Sequence, residues 1–388
     1  MGDILLSRRK DTVILMSINS AISKENLTII EKLSTQEIRD IAKTISVLLS
    51  KTFPEHDLKE SDLFIAICRL DMYRAKFSDN AKAKYFYKNS SIYFDNDIDI
   101  KKIDIISLHE CLHYLQEFRD EKDNVVRMGL YNLKNHKGMA INEAAVQYMA
   151  SVACKKTDEP VKYYNMEFST ISPDFYPLQT ALLEEMLFFT GSYSLIRSTL
   201  FSDDVFKKTF ISKTSKKIYS EIENNFEAIL EYENTLSKQT EKLANTVNDL
   251  KNISKVKKIN SIISDLKEVI LAKTLETQDL IYKNCFKYEF DNIRNLKDCK
   301  KIKYRLFNFR NLLIKTDNYD SFSEFYTSMI LDISNKAYEI KQHGEITPVV
   351  ENYDLTLIEG KSSPVALFKI LIHKIKLIFE EKIRQKDF

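Results

Sequence analysis

The sequence predicts an α+β protein in which α-helix predominates, and three observations carry this prediction. Only six glycines and six prolines occur in 388 residues, and so few helix breakers favour long helices over a turn-rich β architecture. Helical spacing of apolar residues is continuous after residue 215, whereas residues 84–94 change to the period of a strand. The 44% apolar and 29% charged residues describe a chain that buries a core and is not disordered.

The chain before residue 84 is expected to be an N-terminal helical segment, residues 1–83. Residues 35–49 carry apolar side chains at helical intervals, and Phe53-Pro54 ends that helix. A second helix is predicted for residues 62–74.

A strand or hairpin is predicted at residues 84–94, where the alternating period is interrupted by a turn at residues 88–90. A helix is expected to follow at residues 100–120, then a polar loop at 120–138 and a second helix at 140–154. The apolar stripe of the first of these helices consists of Ile103, Ile106, Leu108, Leu112, Leu115 and Phe118.

The first of these helices carries His109-Glu110-Cys111-Leu112-His113, the HExxH pattern of zinc hydrolases. A four-residue step on an α-helix returns to nearly the same face, so both imidazoles can reach one ion. Glu110 then lies beside the metal, where it can take a proton from a zinc-bound water. Cys111 lies on roughly the opposite side of the helix, so a buried core thiol is predicted there and not a ligand.

A third ligand is expected on the next helix. Catalytic zinc takes three protein ligands and leaves the fourth position for water. The helix at 140–154 is rich in small residues, which indicates burial, and Glu143 lies in its first turn. A buried carboxylate needs a partner, and a metal ion would be one. The alternative is that Glu143 only complements the dipole of its own helix.

The stretch Asn142-Glu143-Ala144, thirty residues beyond His113, resembles the gluzincins, the thermolysin-like zinc peptidases. The run from His109 to Gln116, the pair Gly129-Leu130 and the run from Asn142 to Tyr148 also resemble an uncharacterised group of bacterial HExxH proteins. The resemblance covers residues 84–210. It implies a zincin-like metallopeptidase core, assigned to residues 84–212, with Zn²⁺ bound by His109, His113 and Glu143 and with Glu110 as general base.

The resemblance further implies metal-assisted hydrolysis, for which a donor must stabilise the oxyanion. The sequence does not choose among five nearby candidates: Tyr148, Tyr176, Tyr193, His136 and Arg197. Gln116 and Gln147 are expected to support the ligands or to pack beside them. The remaining histidines lie in no ligand pattern: His56, His343 and His373.

The chain beyond the core is predicted to be helical. Residues 176–210 are read as a helix, a break at Gly191 and another helix. Residues 213–388 are expected to form a C-terminal helical region, because their imperfect heptads suit an antiparallel bundle or hairpin. A strand at 348–358 and a last helix at 364–386 complete the prediction.

Net charge, cysteine content and hydrophobic segments indicate which partners and which cellular compartment to expect. A net charge of +2 gives no reason to expect nucleic acid or membrane binding. Five cysteines without a CxxC pair suit a reducing compartment. With neither a signal peptide nor a transmembrane segment evident, we expect a cytoplasmic protein, and export by an unconventional route stays open.

The function expected from these observations is zinc-dependent hydrolysis of a peptide or protein substrate, because a strand before the motif helix suits an extended chain. Two alternatives stay open. One is a zinc hydrolase of non-peptide amides, and the other is a non-catalytic helical interaction protein that retains a zincin-like scaffold and binds a protein partner through its helices.

Overall fold

A computed structural model describes residues 27–78, 81–100, 102, 104–247, 253–317 and 321–344. Within these ranges the chain forms eleven α-helices and three small sheets, so the prediction of a predominantly helical α+β protein is confirmed. None of the helices in this part of the chain combines the length and the apolar character needed to cross a bilayer. The predicted strand at 348–358 and helix at 364–386 lie outside the described residues.

The N-terminal layer is a four-stranded sheet covered by helices. Its strands are β1 (Leu27–Lys32), β2 (Asp71–Phe77), β3 (Ala83–Phe86) and β4 (Ser91–Asp95). Their spatial order is β1-β2-β4-β3. Strands β1 and β2 are antiparallel, β2 and β4 are parallel, and β3 is antiparallel to β4 at the edge of the sheet. The predicted strand or hairpin at 84–94 is therefore present as β3 and β4.

The helix predicted at 62–74 is correct only in its first half. Helix α1 (Thr35–Thr52) matches its prediction and begins with a capping box between Ser34 and Glu37. Helix α2 (Glu60–Ile67) ends early, and the chain enters strand β2 four residues later. Strand β2 lies between β1 and β4. Pairing on both of its sides overrides the local helical spacing, because strand formation depends strongly on tertiary context.

The motif helix α3 (Ile105–Leu115) is shorter than predicted. Asp104 begins it by accepting the N–H of Ser107 at 2.8 Å, and after Gln116 the chain continues into strand β5. The expected polar loop contains most of a second sheet, with β5 (Glu117–Arg119), β6 (Val125–Met128) and β7 (Tyr131–Asn132). Helix α4 (Met139–Ala153) follows close to its predicted position.

The rest of the described chain is one β-hairpin followed by helices. The hairpin consists of β8 (Glu159–Tyr163) and β9 (Met166–Thr170). The helices are α5 (Pro177–Thr190), α6 (Ser192–Phe201), α7 (Val205–Ile211), α8 (Lys216–Val247), α9 (Ile253–Asp291), α10 (Leu296–Phe309) and α11 (Ser321–His343). Gly191 separates α5 from α6 as predicted. Helices α8 and α9 form a long antiparallel hairpin, linked by the Lys273 Nζ to Asn225 Oδ1 hydrogen bond of 3.3 Å.

Two hydrophobic cores meet at helix α4. One core joins the N-terminal sheet, α1 and α3, and the other runs from α5 through the C-terminal helices. The first half of α4 packs in the second of these cores through Ala140, Ile141, Ala144 and Ala145. Its second half packs in the first core through Val146, Met149, Ala150 and Ala153. The division at residues 83/84 and 212/213 stays a prediction, and the sheet joins strands from both sides of residue 83.

Candidate metal centre

Helices α3 and α4 bring His109, His113 and Glu143 together in one cluster. His109 Nε2 lies 3.0 Å from His113 Nε2 and 3.3 Å from Glu143 Oε2, and His113 Nε2 lies 3.5 Å from the same carboxylate oxygen. The side chains are 8%, 10% and 20% exposed in that order, so solvent can still reach the cluster. No other group of three or more potential ligands of this kind occurs among the described residues.

The spacing of these three atoms fits a tetrahedral metal ion. Two ligand atoms at the tetrahedral angle on a zinc ion, each about 2.05 Å from it, are separated by about 3.3 Å. The three observed separations of 3.0, 3.3 and 3.5 Å lie around this value. Two imidazoles and one carboxylate are also a ligand set that zinc takes in hydrolases. The cluster could therefore hold a metal ion.

Each histidine has an amide side chain on its other ring nitrogen. Gln147 Oε1 lies 3.0 Å from His109 Nδ1, so it can accept the Nδ1 proton and leave Nε2 to face the cluster. Gln116 Nε2 lies 2.8 Å from His113 Nδ1. A half-turn of this amide exchanges its nitrogen and oxygen. Gln116 Oε1 has no hydrogen-bond partner among the described residues, so the half-turn breaks no hydrogen bond of this oxygen. After the half-turn, Oε1 accepts the Nδ1 proton of His113, and His113 Nε2 is free to bind a metal.

The cluster is electrostatically coupled. Burial alone would raise the pKa of Glu143, but the charges and hydrogen bonds of His113 and His109 hold it well below its usual range. Burial alone would lower the pKa of His113, but the charge and hydrogen bond of Glu143 and the charge of Glu110 raise it. The carboxylate of Glu143 is thus held in its ionised form, which is the form that binds metal.

Glu110 lies beside the cluster and is held by the edge strand. Its Oε2 accepts the backbone N–H of Tyr85 on β3 at 2.7 Å. Its charge contributes to raising the pKa of both His113 and Tyr176. The hydrogen bond fixes one carboxylate oxygen and leaves Oε1 to act on a water or a substrate.

Tyr176 is the only one of the five oxyanion candidates whose described contacts include the cluster. Its ring stacks on His109 with centroids 6.0 Å apart, and its hydroxyl interacts with the Glu143 carboxylate. The Glu143 carboxylate, burial and Glu110 together raise the pKa of Tyr176 well above its usual value. The residue adopts φ 51° and ψ 43° directly before Pro177. A left-handed tyrosine before proline is strained, and such strain is concentrated at functional sites.

The other candidates lie in different surroundings. Tyr193 stacks on His56, and Arg197 pairs with Asp203 at 2.9 Å. His136 is exposed and lies 3.2 Å from the Tyr131 hydroxyl. The charges that raise the pKa of Tyr148 besides burial are those of Glu184 and Asp158.

Three further residues of the runs that resemble HExxH proteins fix the loop between α3 and α4: Gln116, Gly129 and Asn142. Asn142 Oδ1 accepts the N–H of Leu130 at 2.9 Å. Gly129 adopts φ +55°, and a Cβ there would lie 2.4 Å from both Asn142 Oδ1 and Gln116 Oε1. The glycine is required because the loop passes between these two side chains. Cys111 is buried as predicted, and all five cysteines are free.

Sequence reasoning missed the polar network that joins the edge strand to the end of α3. The Tyr85 hydroxyl donates to Glu117 Oε1 at 2.5 Å, and Arg119 binds the other oxygen of Glu117 at 2.7 Å. Arg119 also donates to Ser90 Oγ at 2.9 Å. Tyr85 thus contacts α3 through its backbone and β5 through its side chain. The alternating Glu117 and Arg119 directly after the motif were the only signal of this network.

Replacing Tyr85 by Phe is expected to destabilise the protein by about 1–3 kcal/mol, because Glu117 is buried and loses one hydrogen-bond donor. The measurement is the denaturant midpoint of unfolding. Tyr114→Phe is the matched control, since that ring lies against Tyr85 and its hydroxyl has no hydrogen bond among the described residues. Equal midpoints for the two variants would show that the network contributes nothing.

No protein-family model, no curated protein and no solved structure matches this chain.

Proposed function

We propose that this chain is a zinc-dependent peptidase with a gluzincin-like core. The observation that carries the proposal is the convergence of His109, His113 and Glu143 at tetrahedral ligand spacing, with Glu110 beside them. Two imidazoles favour zinc over magnesium or calcium, which prefer oxygen ligands. When bound, zinc would lower the pKa of its water to about 7 and polarise the scissile carbonyl.

Glu110 is suited to carry the proton in this reaction. Tyr85 N–H holds Oε2, so Oε1 can accept a proton from the attacking water and deliver it to the leaving nitrogen. The water oxygen forms the new bond to carbon, the C–N bond breaks, and the proton leaves with the amine. Tyr176, whose ring stacks on His109, is the candidate donor to the oxyanion.

The edge strand supports a peptide as substrate. Lys82 O accepts the N–H of Asp95 and faces β4, whereas the N–H of Tyr85 faces away from β4. Backbone groups alternate in direction along a strand, so the N–H and C=O of Ala83, two residues before Tyr85, also face away from β4. The Tyr85 N–H already binds Glu110, so an extended peptide would pair with the Ala83 backbone and the Tyr85 C=O and bring its scissile bond to the cluster.

The test is hydrolysis of a mixed peptide pool by purified protein, with cleavage followed by mass spectrometry. We expect hydrolysis that a zinc chelator abolishes and that added Zn²⁺ restores, with no restoration by Mg²⁺. Hydrolysis that persists in the metal-free protein would refute the proposal. Absence of hydrolysis by the zinc-loaded protein would favour the non-catalytic interaction protein, and cleavage of small amides alone would favour a non-peptide amidase.

A further inference from the structure

Helix α8 provides the cap of the helix that carries Glu143. Glu227 Oε1 accepts the N–H of Ala140 at 3.1 Å. Burial raises the pKa of the Glu227 carboxyl, and the nearby backbone N–H groups of Gly138, Met139 and Ala140 oppose that rise. Helix α4 has no side-chain cap of its own, because Gly138 occupies its N-cap position at φ +85°. The cap therefore comes from a residue 87 positions further along the chain.

The physical consequence falls on Glu143, which lies one turn beyond these N–H groups. The first four N–H groups of a helix have no partner within the helix, and a carboxylate there satisfies them and complements the helix dipole. Removal of the carboxylate lets the first turn fray, and the position of Glu143 is then less well defined.

A second carboxylate of α8, that of Glu233, holds the first turn of α5. Glu233 Oε2 accepts a hydrogen bond from Gln179 Nε2 at 2.5 Å. Burial raises the pKa of the Glu233 carboxyl, and Gln179 and the Tyr163 hydroxyl oppose that rise. Gln179 is fully buried in the first turn of α5, three residues after Tyr176. Tyr176 in turn stacks on His109 of the cluster, with ring centroids 6.0 Å apart. Glu233 therefore fastens the helix start that carries the strained tyrosine.

We propose that Glu227 and Glu233 are positioning residues that set the metal affinity of the cluster from within the C-terminal helical region. The proposal rests on the proposed function, because the ligand is the metal ion. Neither residue touches the metal site directly. Glu227 acts through the first turn of α4, and Glu233 acts through Gln179 and Tyr176. On this basis the cluster is complete only when α8 is packed against α4 and α5.

The experiment compares Glu227→Ala and Glu233→Ala in the full chain, with Glu231→Ala on the exposed side of α8 as control. Zn²⁺ affinity is measured by competition with a chromophoric chelator. Each of the two variants is expected to bind zinc at least about 10-fold more weakly than wild type. Mutation of residues that support metal ligands commonly lowers metal affinity by this amount. Glu231→Ala should match wild type. Glu227→Gln and Glu233→Gln, which keep an accepting oxygen, should recover most of the affinity.

A second measurement does not require metal. Amide hydrogen exchange in the first turn of α4 should be faster in Glu227→Ala than in wild type, and unchanged in Glu231→Ala. If wild type binds no zinc, the proposed function fails while this exchange comparison still reports on the cap. Zinc affinities within twofold of wild type in both folded Ala variants would overturn the proposal. Should Glu227→Ala not fold, Glu227→Asp moves the carboxylate away from Ala140 and is judged by the same criteria.

Discussion

Glu143→Ala is expected to reduce zinc binding from about one ion per chain to a small fraction. Glu143 Oε2 lies 3.3 and 3.5 Å from the two imidazole nitrogens and is the only carboxylate of the cluster. Mutation of a residue that only hydrogen-bonds to a metal ligand lowers metal affinity by about 10–100-fold. Loss of a direct ligand should lower it by more. The two histidines that remain make a weak site.

Elemental analysis of protein purified without chelator or added metal measures this effect. Glu121→Ala, at an exposed position, is the control and should retain wild-type zinc. Circular dichroism verifies that both variants are folded. A metal-free wild type that takes up no zinc on titration would contradict the metal site, and undiminished zinc in folded Glu143→Ala would show that another residue is the third ligand.

Glu110→Gln is expected to lower peptide hydrolysis by about 10²–10⁴-fold, the usual contribution of a general acid–base group, with the zinc content unchanged. Glutamine has nearly the same shape, and its amide oxygen can still accept the Tyr85 N–H that now binds Oε2. It cannot take a proton from water. Glu110 is not one of the three clustered ligands, so metal binding should be unaffected.

Rates are measured on a peptide identified from the mixed pool, with the zinc content determined on the same samples. Glu117→Gln is an informative comparison, because that carboxylate also bonds to Tyr85 but through its hydroxyl. It should lose stability with a smaller loss of rate. A folded, zinc-loaded Glu110→Gln enzyme with the rate of wild type would exclude Glu110 as the base.

The helices could be predicted from sequence where their apolar stripe faces one core. Helix α1 and the C-terminal helices are of this kind. Strand β1 and the second half of the helix predicted at 62–74 could not be assigned correctly, because β2 is defined by its neighbours β1 and β4. Local spacing contains no information about such pairing.

The cluster of His109, His113 and Glu143 was anticipated because it depends on helix periodicity and on one buried carboxylate. What surrounds it was not anticipated. Glu110 is held by the backbone N–H of Tyr85. Nearly every residue type has such an N–H, so the sequence gives no sign of this hydrogen bond. Glu227 reaches α4 from 87 residues away, and no spacing rule connects positions so far apart. The ligand and base roles themselves stay predictions.

Helix α4 belongs to both hydrophobic cores, with one half packed in each. Melting of either core would therefore remove half of the packing around the helix that carries Glu143. If α4 loses its packing, neither of the two cores stays closed to solvent. Heat should consequently produce one cooperative transition across the described chain and not two separate ones, with release of any bound ion at the same temperature.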